Sequence, residues 1–254
     1  MTSVSGKILR KIVTSETYTI QHFTDPSVLA LQLANDIALR LNDAINKKGR
    51  AVLALSGGST PKPMLQALSQ LEVDWNNVIV TLVDERCVAP GHELSNATML
   101  SNCLLNNLEM PPSFAPLYFA GLGEQNLVER ILAKYCELTD SNPTKIAAFD
   151  VVILGMGSDG HTASFFPDAD NIEQLLAMNS AERLLMCNSP STQVPRITWS
   201  LPMLLNTSML ILHITGKDKR EVLEQALMGD DFNKMPIRAA IFQDVTPLNI
   251  YSAV

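Results

Sequence analysis

Five short stretches, AVLALS (51–56), VIVTLV (78–83), FDVVILG (149–155), ERLLMC (182–187) and MLILHIT (209–215), carry almost unbroken apolar runs of strand length. Runs of this kind read as strands buried on both faces rather than as half-exposed hairpin strands. Helical patterns lie between them. The first runs from Asp25-Pro26 to about Asn46 and stops at Lys48-Gly49, and the next is PKPMLQALSQL. Others cover SNATMLSNCLLNNL and EQNLVERILAKYCEL, and two more start at Thr198 and Lys217. TYTIQHF (17–23) adds a strand, and 110–116 and 140–144 read as loops. This alternation predicts a doubly wound α/β fold, a mainly parallel sheet with helices on both faces. We expect a single domain over 1–254, with a minor subdomain around 161–195.

Composition excludes several function classes. Of 254 residues, 46% are hydrophobic and 18% charged, an ordinary globular balance. No apolar run approaches the ~18 residues of a membrane helix. The opening MTSVSGKILRKIVTSE has no apolar signal core and reads as a short, frayed start. Cys87, Cys103, Cys136 and Cys187 are scattered with no CxxC pair, which fits reduced thiols in the cytoplasm and no structural zinc. No metal or organic cofactor is expected. The net charge of −7 and the absence of a Lys/Arg stripe argue against nucleic acid, so an anionic ligand would require a local basic pocket.

Ligands of open α/β sheets bind beyond the carboxyl ends of strands, and three such ends carry chemistry. In LALSGGSTPKP (53–63) a strand runs into Gly57, Gly58, Ser59 and Thr60 ahead of Pro61. Pro61 suits the first helical position and Thr60 the N-cap, so free N–H groups could cradle a phosphate. No G-K-[ST] follows, which excludes a nucleotide P-loop. In TLVDERC (81–87), Asp84, Glu85 and Arg86 follow the apolar run directly, either as a solvated loop or as a charged site.

The third end, LGMGSDGHTASFFP (154–167), contains G-x-G-x-x-G, yet Pro167 cuts short any dinucleotide-binding helix and no acid ends the next strand. Met156 occupies the position where a serine-hydrolase elbow requires glycine. What survives is a glycine turn presenting Asp159 and His161. Arg196 in TQVPRITWS, at an expected helix start, and Lys219 in the first turn after HITGKDK are candidate cations for an anion. His22, His92 and His213 form no constellation and read as core or surface residues.

Taken together, LALSGGSTP, the stretch from Asp84 to Asn96, LGMGSDGHTASFFP, QVPRIT and ITGKDK resemble the 6-phosphogluconolactonase family, in its order along the chain. Ala89 stands where that family usually has proline. The resemblance implies a Rossmann-like fold of the sugar-phosphate isomerase/deaminase type. It implies hydrolysis of 6-phospho-D-glucono-1,5-lactone without a cofactor, and the expected state is a monomer or homodimer.

In that reading His161 is base and then acid, and Asp159 or Asp84 orients it or the water. Backbone N–H groups of the turn or Arg86 stabilise the oxyanion. Gly57, Gly58, Ser59, Thr60, Arg196 and Lys219 bind the phosphate. The related glucosamine-6-phosphate deaminases, which read D-E-Y and end their turn in Asn-Glu-Pro, are the first alternative. A non-catalytic sugar-phosphate sensor is the second.

Overall fold

The structure, a computed structural model, describes residues 11–254. Of the frayed start expected over MTSVSGKILRKIVTSE, residues 1–10 lie outside them, and the described part is corrected, because Lys11–Thr14 form a paired strand. β1 (Lys11–Thr14) and β2 (Tyr18–Phe23) form an antiparallel pair, and α1 (Pro26–Lys48) follows. The Asp25 side chain caps α1 by accepting from the Ser27 N–H at 2.7 Å, and Pro26 fills its first turn. Gly49, at φ +79°, closes the helix in the left-handed region. Leu29, Leu33, Ile37 and Leu41 recur at helical spacing and are fully buried. Each such side chain contributes about 1.5–3 kcal/mol of burial.

β3 (Ala51–Leu55), α2 (Lys62–Leu68) and β4 (Val78–Leu82) come next, then β5 (Asp84–Arg86), α3 (Asn96–Cys103) and β6 (Ser113–Ala115). They are followed by α4 (Glu124–Thr139), β7 (Val151–Leu154), α5 (Ile172–Leu176), β8 (Leu184–Cys187) and β9 (Arg196–Trp199). The chain ends with α6 (Leu201–Leu205), β10 (Leu210–Thr215), α7 (Lys217–Leu227), α8 (Ile237–Ile241) and β11 (Leu248–Ala253).

Eight strands form one sheet in the order β1-β2-β11-β10-β7-β3-β4-β6, parallel throughout except for the β1 edge. Every residue of β3, β4 and β7 is buried, so both faces of the sheet centre are covered. That is why these strands read as continuous apolar runs instead of alternating ones.

A second, antiparallel sheet, β5-β9-β8, stands beside the first. Only Val83 separates β4 from β5, so the chain steps from one sheet to the other without a loop. Trp199 of β9 ties the sheets together by donating its indole N–H to the Leu82 carbonyl at 2.9 Å. Its ring packs edge-on against Tyr135 and Phe149.

The helix expected from Thr198 is therefore corrected. Ile197 and Thr198 are β-branched and Trp199 is aromatic, residues 196–199 pair with the neighbouring strands on both sides, and the helix starts only at Leu201. The loop expected at 110–116 contains β6, an edge strand completed by pairing with β4. The helix α2 starts at Lys62, one residue beyond the expected position, so Thr60 is not its N-cap.

Candidate active site

The order of the large sheet reverses between β3 and β7. From β3 the chain moves outward to β4 and β6, then returns to β7 on the other side and continues to β10 and β11. Loops leaving such a point diverge and open a crevice. The Ser56 N–H donates to the Ile153 carbonyl at 3.0 Å, so the two strand ends stay together while their glycine turns part.

A cleft of about 300 Å³ lies there. Gly57, Gly58, Ser59 and Thr60 line one side and His161 the other. Asp84 and Arg86 from β5, Arg196 from β9 and Lys219 from α7 complete it. Asp159 lies behind His161 and does not line the cleft. Residues spread over 163 positions of sequence number thus converge on one place.

Each glycine turn is shaped by close approach. A Cβ on Gly57 would lie 1.8 Å from Asn96 Oδ1, and Gly58 has φ +92°. A Cβ on Gly157 would lie 2.1 Å from His161 Nδ1, so only glycine lets the imidazole fold back over its own turn. The Gly157 N–H donates to the His161 carbonyl at 2.8 Å and fixes that turn. Ala163, in the cleft wall, holds a left-handed φ of +48°, strain of the kind that collects at functional sites.

His161 Nδ1 lies 2.6 Å from Asp159 Oδ1, which leaves Nε2 as the nitrogen free for other chemistry. Burial pushes the Asp159 carboxyl up, but the hydrogen bond and charge of His161 outweigh it and hold it below the usual carboxylate value. The Phe166 ring packs on the imidazole with centroids 4.3 Å apart, and the Arg196 guanidinium carbon sits 5.6 Å from the same ring. Phe166 therefore spaces the histidine from the cation.

Asp84 is engaged elsewhere. It accepts from Ser164 Oγ at 2.6 Å and from Asn96 Nδ2 at 3.2 Å, which fastens the turn after His161 to β5. Glu85, next to it, is a structural group. Its two oxygens accept from the backbone N–H groups of Arg86, Asn96 and Ala97 and from Ser95 Oγ, at 2.7–3.0 Å. This anchors the start of α3 and presents Asn96 to Gly57. Burial pushes the Glu85 carboxyl up despite those bonds.

Arg86, Arg196 and Lys219 form no ion pair among the described residues. The Nε groups of Arg86 and Arg196 are buried and unpartnered. Burial first, and the neighbouring Arg86 second, push Arg196 below the ordinary guanidinium value. Burial likewise lowers Lys219, against the opposing pull of Asp159 and Asp218. Three cations without an ion pair converge in a chain of net charge −7, the local basic pocket that an anion requires. Arg196 does not reach the cleft from a helix start. It comes from a strand, in register with Arg86.

Sequence reasoning gave no role to Asn96, Phe166 or His213, although all three line the cleft. Asn96 closes a quoted motif, but its contact with Gly57 depends on a missing Cβ across 39 residues. His213 is buried, as one of its two expected placements had it, and it also borders the cleft.

A family model described as glucosamine-6-phosphate isomerases/6-phosphogluconolactonase matches residues 24–247. The chain belongs to this family. Among members, a 6-phosphogluconolactonase of Rhizobium meliloti (strain 1021) is 41% identical over 91% of this chain and 97% of its own. One of Mesorhizobium japonicum is 38% identical over 96% and 99%. The crystal structure of a 6-phosphogluconolactonase from Shewanella baltica OS155 superposes with a TM-score of 0.86 at 34% identity, covering 96% of this chain and 100% of that one. The glycine turns and the cations of the cleft all lie within the span matched by the family model.

Proposed function

We propose that the protein hydrolyses 6-phospho-D-glucono-1,5-lactone to 6-phosphogluconate, with His161 handling the proton. The observation that carries this reading is the Asp159-held imidazole in a cleft with three unpaired cations. The relatives named above support the substrate class.

Water attacks C1 of the lactone while His161 Nε2 takes its proton, and the new C–O bond gives a tetrahedral oxyanion. Asp159 keeps Nδ1 engaged, so the second proton has only Nε2 to occupy. Backbone N–H groups of the 155–160 turn, or Arg86, stabilise the negative oxygen. The C1–ring oxygen bond then breaks, and the ring oxygen receives the proton from Nε2. The acid formed ionises to carboxylate and a free proton.

The phosphate, at the far end of the sugar, rests on Gly57 to Thr60 with Arg196 and Lys219, and holds C1 in place. Asp84 acts indirectly, by fixing the turn that carries His161. No thiol competes as nucleophile. Burial pushes Cys87, beside the cleft, up to about 11, so it stays protonated near neutrality.

The same reading places the protein in the cytoplasm, as a monomer or homodimer. All four cysteines are free, in keeping with a reducing compartment. Among the described residues no helix is long and apolar enough to cross a membrane.

One assay tests the proposal: acid release from freshly generated 6-phosphogluconolactone, corrected for spontaneous hydrolysis. Catalysis is expected. Ammonia release from glucosamine-6-phosphate without lactone turnover would move the reading to the deaminase branch, and phosphosugar binding with neither reaction would move it to a sensor.

A further inference from the structure

His213 is carried by β10 and is 3% exposed. It lines the cleft and also a second cavity of about 140 Å³, and Ser59 and Thr60 line both spaces with it. Neither of its ring nitrogens has a hydrogen-bond partner. A buried imidazole with both polar atoms unpaired is a poor core residue, because desolvation of each is uncompensated. Its strand neighbours Leu212 and Ile214 show what the sheet otherwise uses at such depth. Burial pushes the ring down to about 4, so near neutrality it is uncharged and offers one N–H and one lone pair.

We propose that His213 is a further substrate-binding residue, which donates a hydrogen bond from the sheet side to the phosphate seated on the Gly57–Thr60 loop. The proposal rests on the phosphate reading of that loop given above. An oxygen of a phosphate dianion is the acceptor that an unpartnered N–H at the back of this loop suits best. A donor fixed at the base of the loop, together with cations at its mouth, favours a compact phosphate over a carboxylate or an uncharged hydroxymethyl group. A site that desolvates a donor rejects ligands unable to satisfy it.

The test uses the full chain and two variants, His213→Leu and His213→Gln, titrated calorimetrically with inorganic phosphate and with 6-phosphogluconate. Leucine removes the polar ring, whereas glutamine restores an N–H on a flexible stem. For His213→Leu, affinity for both probes is expected to fall about 10-fold or more, since a hydrogen bond to a charged group is lost. Its ratio of kcat/KM for 6-phosphogluconolactone over glucono-δ-lactone should fall in parallel, while Tm stays level or rises by about 2–4 °C. His213→Gln should recover part of the affinity. If the leucine variant fails to fold, His213→Met supplies the apolar substitution.

Unchanged phosphate affinity in a folded apolar variant, with wild type binding normally, overturns the role of His213 alone. Wild-type protein that binds neither probe overturns the phosphate reading of the loop itself.

Discussion

Asp159 Oδ1 accepts from both ends of His161, from the ring Nδ1 at 2.6 Å and from the backbone N–H at 3.1 Å. One carboxylate oxygen thus fixes the tautomer and the tilt of the imidazole at once. His161→Ala should lower kcat by roughly 10²–10⁴ on both 6-phosphogluconolactone and glucono-δ-lactone, the range for a lost general acid–base group. Asp159→Ala should give a smaller loss with KM little changed, because it disturbs orientation and not grip. Steady-state kinetics on purified, folded variants decide it, and near-wild-type kcat for His161→Ala sinks the assignment.

Arg196 and Lys219 are expected to act on the other end of the ligand. Each alanine variant should lose roughly 10- to 150-fold in kcat/KM on the phosphorylated lactone, the equivalent of one charge-assisted contact. On glucono-δ-lactone the loss should be small. Equal losses on the two substrates would move Arg196 from phosphate binding to the oxyanion or to the fold.

Glu85 should matter for stability more than its surface-like sequence setting implies. In Glu85→Gln an amide NH₂ replaces an oxygen that accepts hydrogen bonds, so a buried backbone N–H faces another donor. The expected cost is about 1–3 kcal/mol in urea-induced unfolding. A change within the ±0.5 kcal/mol typical of surface positions would show that the α3 anchor is dispensable.

The buried imidazole of His213 makes folding sensitive to acid. Its proton affinity falls from 6.5 to about 4 in the folded chain, so between those values the unfolded chain binds more protons. Stability from this site is therefore complete above pH 6.5 and is lost as the pH drops towards 4, by on the order of 3 kcal/mol. Unfolding curves collected from pH 7 to pH 4 should fall less steeply for His213→Leu than for wild type. Parallel curves would mean that the ring finds solvent or a partner.

What the sequence revealed follows from how each element is specified. Strands β3, β4, β7 and β10 were legible because burial on both faces makes their residues apolar without alternation. Helix α1 was legible through its caps, Asp25 and Gly49. Strand β5, by contrast, consists of Asp84, Glu85 and Arg86, three charges that resemble a solvated loop until Ile197 and its neighbours pair with them. Arg196 follows Pro195, a pattern that also opens helices, and it becomes a strand by pairing with β8 on one side and with Arg86, more than a hundred positions away, on the other.

The site was readable to the extent that it is local. Gly157, Asp159 and His161 belong to one turn and could be recognised together. Asn96 acts on Gly57, and His213 stands behind Ser59 and Thr60, through contacts between distant segments that no short window contains.

The two glycine turns leave neighbouring hydrogen-bonded strands, and this gives the site a built-in ruler. Parallel strands sit about 4.8 Å apart, and the register between β3 and β7 pairs Leu55 with Ile153. The interval between the Gly57–Thr60 turn, proposed to grip, and the His161 turn, proposed to react, is thus set by main-chain hydrogen bonds and not by a loop free to drift. In the proposed reaction, a sugar lactone one carbon shorter, with its phosphate seated, would hold its carbonyl short of His161. Selection among sugar phosphates would then operate by length before any contact with an individual hydroxyl group.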